Sequence, residues 1–341
     1  MDIETLEMEG PRPDEVLVRL VASGVCHTDI DMWEDGASGP VVLGHEGAGI
    51  VEQAGSMVQG VALGDHVVLS YQSCGMCPEC LSDNPAHCLS FWEANFGFAR
   101  LDGSNALAVS GVRGHFFGQS SFASHALATA RNMVKVDKNL DLALLAPLGC
   151  GLQTGAGTVL NSLAVKPGQS LLILGSGTVG LAAVMAGRLA GADPIIAVDL
   201  FPHRLSLARE LGATHAIDNR EDDLAKRISG ISGRGIDHIL EITGQPDLYR
   251  LTLELLAPGG SAALLTGQQG PGKISRNRWV SGVIQGDAVP QKFIPEMINH
   301  YQAGRFPFDR LVSYFPFRDI NQAMAASKRG EAIKPVLRME V

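Results

Sequence analysis

The run Gly175-Ser-Gly177-Thr-Val-Gly180 limits what this chain can fold into more than any other feature, because of what flanks it. Ser170-Leu-Leu-Ile-Leu174 before it reads as a short buried strand, and Val179 to Leu189 after it reads as a helix. Glycines between a strand and a helix do separate jobs. Gly175 allows the tight turn, Gly177 lets a pyrophosphate approach the backbone, and Gly180 lets the helix pack closely on the sheet. The free N–H groups and dipole of the helix N-terminus then favour phosphate. Asp199 ends the next strand candidate, Ile195-Ile-Ala-Val198, nineteen residues after Gly180. An acid there accepts ribose hydroxyls and repels a 2′-phosphate, so NAD is expected over NADP. Arg204, five residues further on, either rests against the adenosine or is a solvated helix charge.

The same texture continues. Pro202 to Leu211 reads as a helix, and His215-Ala-Ile217, Ile236 to Ile242, Ser261 to Leu265 and Val280 to Ile284 read as strands. Strands alternating with helices predict an α/β, doubly wound parallel sheet. Residues 14 to 70 differ: Glu15 to Val21, Gly47 to Gln53 and Gly64 to Leu69 are short strands between glycine turns, as in a small β barrel. A length of 341 residues suits about two domains. The expected layout is a β-rich domain over 1–150, a dinucleotide-binding domain over 151–285, and a return to the first domain over 286–341.

Residues 71 to 100 lose periodicity and hold Cys74, Cys77, Cys80 and Cys88. Two-residue gaps let consecutive thiolates turn back on one ion, which predicts a closed, structural four-cysteine zinc site. Two disulfides, or an iron–sulfur cluster, are the competing readings. Cys26 follows a strand candidate, Cys150 precedes the nucleotide-binding region, and Gly44-His45-Glu46 lies between them. Two thiolates and one imidazole make an open, catalytic zinc site if they converge. Taken singly, each cysteine is more commonly a buried thiol, and His45 more often a turn histidine than a ligand.

A net charge of −9 argues against general affinity for nucleic acid or anionic membranes. The first residues, Met1 to Glu15, are acidic and lack the apolar stretch of a signal peptide, so a cytoplasmic location is expected. The most apolar stretch, Leu140 to Val165, is broken by Pro147 and several glycines.

Taken together, Gly24-Val-Cys-His-Thr-Asp29, Gly44-His-Glu-Gly-Ala-Gly49, the cysteine loop, Cys150 and the glycine turn resemble the zinc-containing medium-chain alcohol dehydrogenases, in that family's order. Pro147 to Gly157, Gly118-Gln-Ser-Ser-Phe122 and Gly304-Arg-Phe-Pro-Phe308 resemble its benzyl- or aryl-alcohol branch. The resemblance implies a Rossmann coenzyme domain beside a GroES-like catalytic domain, and reversible oxidation of primary, aromatic or allylic alcohols with NAD. It implies one catalytic zinc on Cys26, His45 and Cys150 and one structural zinc on the loop. Asp29 would orient His45, and Glu46 would sit behind the metal and exchange into its coordination. Thr28 would take the alcohol proton, His27 and Lys334 would face the coenzyme pyrophosphate, and Thr154 and Val179 would line the nicotinamide. A small alcohol or aldehyde is the expected partner, with a homo-dimer or tetramer as the assembly.

Two positions depart from the family. Asp31 stands where many relatives carry a histidine that passes the proton to solvent, so either its carboxylate serves, or protons leave through water, or release is slower. Relatives also carry an extra strand ahead of the segment matching Asp2 to Leu6; either that strand is absent or the record starts late. Phe116, Phe91, Trp92 and Phe96 are candidates for an aromatic pocket wall. The alternatives are an NADPH-dependent carbonyl or quinone reductase of related fold with no catalytic metal, and a nucleotide-binding protein without activity.

Overall fold

The computed structural model describes residues 1–220, 223–266, 272–274 and 277–339. In chain order the strands are β1 (Glu15–Gly24), β2 (Gly47–Ala54), β3 (His66–Leu69), β4 (His125–Thr129), β5 (Met133–Val136), β6 (Leu171–Leu174) and β7 (Ile195–Asp199). They continue with β8 (His215–Asp218), β9 (Ile236–Glu241), β10 (Leu256–Leu264), β11 (Gly272–Ile274), β12 (Arg278–Gly282), β13 (Val312–Pro316) and β14 (Lys334–Arg338). They divide between two compact units. One comprises Met1–Gly151, Val289–Ile298 and Asp309–Val341, and the other Leu152–Ala288 and Asn299–Phe308. Asn299–Phe308, expected in the return segment, thus groups with the second unit; Phe306 and Phe308 are fully buried aromatic anchors there, with Tyr301 against Phe308.

The first unit is the β-rich one. Its sheet runs β13-β14-β1-β2-β3-β5, with β4 also paired to β1. β1 alternates buried and half-buried residues, and Val16, Val18 and Leu20 join Val51, Val67, Leu69, Ala126 and Ala128 in one core. The β1–β2 register slips twice, between Leu17 and Val18 and between Leu20 and Ala22. Such bulges bend a strand, and Cys26 follows two residues after the end of this one. β4 and β13 escape a reading of the sequence. His-Ala-Leu-Ala-Thr has weak strand propensity, and its pairing with Glu15–Arg19 makes it a strand.

The second unit holds a sheet in the order β11-β12-β10-β9-β6-β7-β8. The pairs β10–β9, β9–β6, β6–β7 and β7–β8 are parallel, and the order reverses between β6 and β9. That is the doubly wound arrangement, whose switch point receives ligands at the carboxyl ends of the strands. β6 and β7 are buried at every position, as strands covered on both faces must be. Their side chains join Ile217, Ile236, Ile239 and Leu256 in a second core.

Candidate active site

The first unit brings Cys26, His45, Glu46 and Cys150 together, with one donor atom from each lying within 4.8 Å of all the others. Each arrives by a different local device. Cys26 is the residue ahead of the short helix His27–Asp31, in extended backbone, where its side chain and that of Asp29 form a reciprocal cap on the helix start. His45 follows Gly44, whose φ is +89° and where a Cβ would stand 2.3 Å from the Phe122 amide nitrogen. Only glycine fits there. Cys150 falls where the 3₁₀ turn Ala146–Gly149 ends, with non-helical φ −143° and ψ −86°, before the helix from Gly151 begins.

Asp29 organises the cluster. Its carboxylate accepts hydrogen bonds from the Cys26 N–H at 2.9 Å and the Gly44 N–H at 3.1 Å, and lies 2.9 Å from Nδ1 of His45. Asp29 and His45 are both wholly buried. Burial works to depress the His45 pKa, but the Asp29 carboxylate outweighs it and holds it well above the ordinary value. With Nδ1 engaged by Asp29, Nε2 is the ring nitrogen left to face the sulfurs, and that atom is buried with no hydrogen-bond partner among the described residues. An orphaned imidazole nitrogen among two sulfurs and a carboxylate oxygen is the chemistry of a metal ligand awaiting its ion. A hydrogen bond from the Cys150 thiol, against the opposing effect of burial, holds Cys26 well toward the thiolate. The residues present fit zinc.

Lys334 is engaged within the first unit. Its ammonium is buried, 2.9 and 3.0 Å from the two Glu46 oxygens and 3.0 Å from the Val25 carbonyl. β14 lies between β13 and β1, and an ammonium sunk into that sheet needs a counter-charge. Glu46 supplies it: burial disfavours the charged lysine, and the carboxylate reverses this and keeps it protonated.

Aromatic rings wall one side of His45. Phe117 stacks on it with centroids 4.4 Å apart, Phe116 meets it edge-on at 5.5 Å, and Phe96 contacts both phenylalanines. Phe117 carries no signal in the sequence beyond its neighbour. Trp92, by contrast, is 61 % exposed, and Phe91 packs on Tyr71. Thr28 is half-buried, with its hydroxyl oxygen 3.7 Å from the Cys26 sulfur, while His27 and Asp31 are exposed on the same short helix.

The four loop cysteines also converge, with sulfurs within 4.8 Å of one another. None of the six cysteines is in a disulfide. Backbone N–H groups of Cys80 and Leu89 point at the Cys77 sulfur and lower its pKa to about 6, so a ligand-ready thiolate exists before any ion binds.

In the second unit the glycine turn joins β6 to the helix Thr178–Ala190, with Gly177 at its cap. A Cβ on Gly180 would lie 1.9 Å from the Gly175 carbonyl oxygen, so the helix sits as close as glycine permits. Asp199 ends β7 and accepts the N–H groups of Ser176 at 2.6 Å, Leu200 at 2.8 Å and Phe201 at 2.9 Å. Arg204 lies 3.9 Å from Asp199 and over the Phe201 ring at 4.6 Å, and its Nε is buried without a hydrogen-bond partner among the described residues. Thr154 and Val179 are both half-buried in this unit, and Val179 belongs to a helix packed so closely that a Cβ on Gly155 would meet its carbonyl at 2.0 Å.

Residues 12–138 match the alcohol dehydrogenase GroES-like domain, and residues 178–297 match the zinc-binding dehydrogenase domain. Geraniol dehydrogenase of Castellaniella defragrans is 44% identical over 98% of this chain and 93% of its own length. The crystal structure of an alcohol dehydrogenase zinc-binding domain protein from Burkholderia ambifaria is 47% identical, with a TM-score of 0.94 over 98% of this chain and 94% of its own. That of benzyl alcohol dehydrogenase from Acinetobacter calcoaceticus is 42% identical, with a TM-score of 0.94 over 99% and 96%. With a GroES-like domain, a doubly wound sheet and two metal-competent clusters, this chain belongs to the zinc-containing medium-chain alcohol dehydrogenases.

Proposed function

We propose that this chain oxidises primary alcohols, aromatic or allylic, to aldehydes, reversibly, with NAD as hydride acceptor. The observation that carries this reading is the cluster of Cys26, His45 and Cys150 with a buried imidazole nitrogen that has no hydrogen-bond partner among the described residues. Cys26, His45 and Cys150 would hold a catalytic zinc, and the four loop cysteines a structural one. Bound there, zinc supplies Lewis acidity that makes an alcohol ionisable near neutral pH, and NAD supplies the acceptor for the hydride.

The chain's own residues do the rest. Asp29 fixes the tautomer and direction of His45. Glu46, neutralised by Lys334, keeps a carboxylate beside the sulfurs without leaving an unpaired charge. The Thr28 hydroxyl, beside Cys26, takes the alcohol proton, and exposed His27 and Asp31 on the same helix offer it a way to solvent. Phe116, Phe117 and Phe96 give a flat apolar surface against His45 that favours an aromatic or allylic alcohol and excludes water. Two relatives point the same way, one named for geraniol and one for benzyl alcohol. Asp199 favours NAD by crowding a 2′-phosphate.

The test combines metal analysis with turnover. Two zinc ions per chain, and faster reduction of NAD than NADP with benzyl, cinnamyl or allylic alcohols than with short aliphatic ones, are expected. One zinc or none in fully loaded protein, or a preference for NADPH with carbonyl substrates, would put the reductase reading in its place.

A further inference from the structure

Gln119 belongs to a segment of unusual backbone. His115, Phe117, Gly118 and Ser120 all have positive φ, between 52° and 64°. Strain of this kind persists only where surrounding contacts over-determine it. Here they do. The Ser121 N–H donates to the Gly44 carbonyl at 2.8 Å, the Phe122 N–H to Leu43 at 2.9 Å, and the Ser120 hydroxyl to Val42 at 2.6 Å.

The Gln119 amide, almost fully buried, goes further. Its Nε2 donates to the His45 carbonyl and to the Ser70 carbonyl, both at 2.9 Å, and its Oε1 accepts the Gly47 N–H at 3.0 Å. Both donors are used, and only this orientation of the amide satisfies two carbonyls and one N–H. Ser70 then continues the path: its hydroxyl donates to the Gly149 carbonyl at 2.7 Å, and Gly149 immediately precedes Cys150. A side-chain amide and a hydroxyl therefore tie the backbone on both sides of Glu46, including the carbonyl of His45, to the backbone beside Cys150.

We infer that Gln119 and Ser70 are positioning residues: a polar strut that sets the separation of the His45 and Cys150 donors before the ion arrives. This rests on reading that cluster as the catalytic metal centre. It touches neither metal nor substrate. The same loop carries Phe116 and Phe117 against the His45 ring, so ligand and aromatic wall move as one.

The test uses zinc-loaded full-length protein and its variants Gln119→Met, Gln119→Glu and Ser70→Ala. Gln119→Glu keeps the acceptor for Gly47 and loses both donations. Ser121→Ala is the control, since it breaks a buried hydroxyl pair with Ser23 in the same segment without touching the His45 carbonyl. Release of zinc to a chromophoric chelator is followed for both metals, and cobalt replacing the catalytic zinc reports donor geometry by its visible spectrum. Expected in Gln119→Met, Gln119→Glu and Ser70→Ala is release of one metal about 10-fold faster, with a shifted cobalt band and a fall in kcat larger than any rise in KM. The metal of the four-cysteine loop should be released as in the parent, and Ser121→Ala should leave both rates alone. Equal loosening of both metals, or of neither, overturns the strut. A parent protein that holds only the four-cysteine metal overturns the metal-centre reading instead.

Discussion

Replacing Lys334 by methionine should destabilise the protein sharply, and the structure sets the size of the effect. Methionine keeps most of the stem's volume, so packing changes little. What disappears is the ammonium that touches both Glu46 oxygens, leaving a wholly buried carboxylate with the Gly151 N–H at 3.3 Å. Breaking a buried pair by removing one partner costs about 3–5 kcal/mol. In a unit of this size each kcal/mol is worth roughly 2–4 °C of melting temperature, so a loss of roughly 10 °C is expected by calorimetry at matched metal content. Adding Glu46→Gln removes the stranded charge, and the double variant should recover more than half of the loss. A single variant melting within about 2 °C of the parent would refute the reasoning, since that is under ~1 kcal/mol. So would a double variant no more stable than the single, because the cost would then lie in packing and not in charge.

Other consequences are checked more simply. Gly44→Ala puts a methyl 2.3 Å from the Phe122 nitrogen at φ +89°, and should cost roughly 3 kcal/mol and loosen the catalytic metal; normal stability and metal content would show that the turn relaxes freely. Burial beside Arg100 depresses His115 to about 4 from 6.5. The unfolded chain then binds this proton at pH 4–6.5 where the folded chain does not, so stability is whole above pH 6.5 and falls by up to about 3 kcal/mol toward pH 4. His115→Gln should flatten that part of the profile, and an unchanged slope in acid denaturation would assign the loss elsewhere. Cys77→Ser should lower the melting temperature through the cysteine loop while the other metal stays bound, as metal analysis would read. Asp31→Asn should slow alcohol oxidation mainly at low pH with coenzyme affinity unchanged; an unaltered pH profile would remove Asp31 from the proton path.

Much of the architecture was legible because its signals are local. The glycine turn sits between an apolar strand and a helix, and each piece can be read within a dozen residues. The helix Pro202–Leu211 has the expected bounds, and β6 and β7 differ by a residue at one end. Element ends set by pairing were less visible: β12 lies two residues earlier than its apolar run suggested, and β10 begins five residues earlier. Both follow their neighbours' register more than their own hydrophobicity.

The site divides along the same line. Sequence alone determined which donors were available: four cysteines at loop spacing, and two more with a glycine-framed histidine that a known family uses together. It determined equally that Asp199 would stand after the glycine turn. Only the tertiary structure decided that Cys26, His45 and Cys150 meet, that Asp29 takes one imidazole nitrogen, and that Phe117 stacks on the ring. It also set Lys334 against Glu46, a pairing that no local pattern in the sequence announces. The reason is physical: donor identity is a property of residues, whereas the direction of a buried charge is settled by whichever counter-charge the fold brings within about 3 Å in a low-dielectric interior.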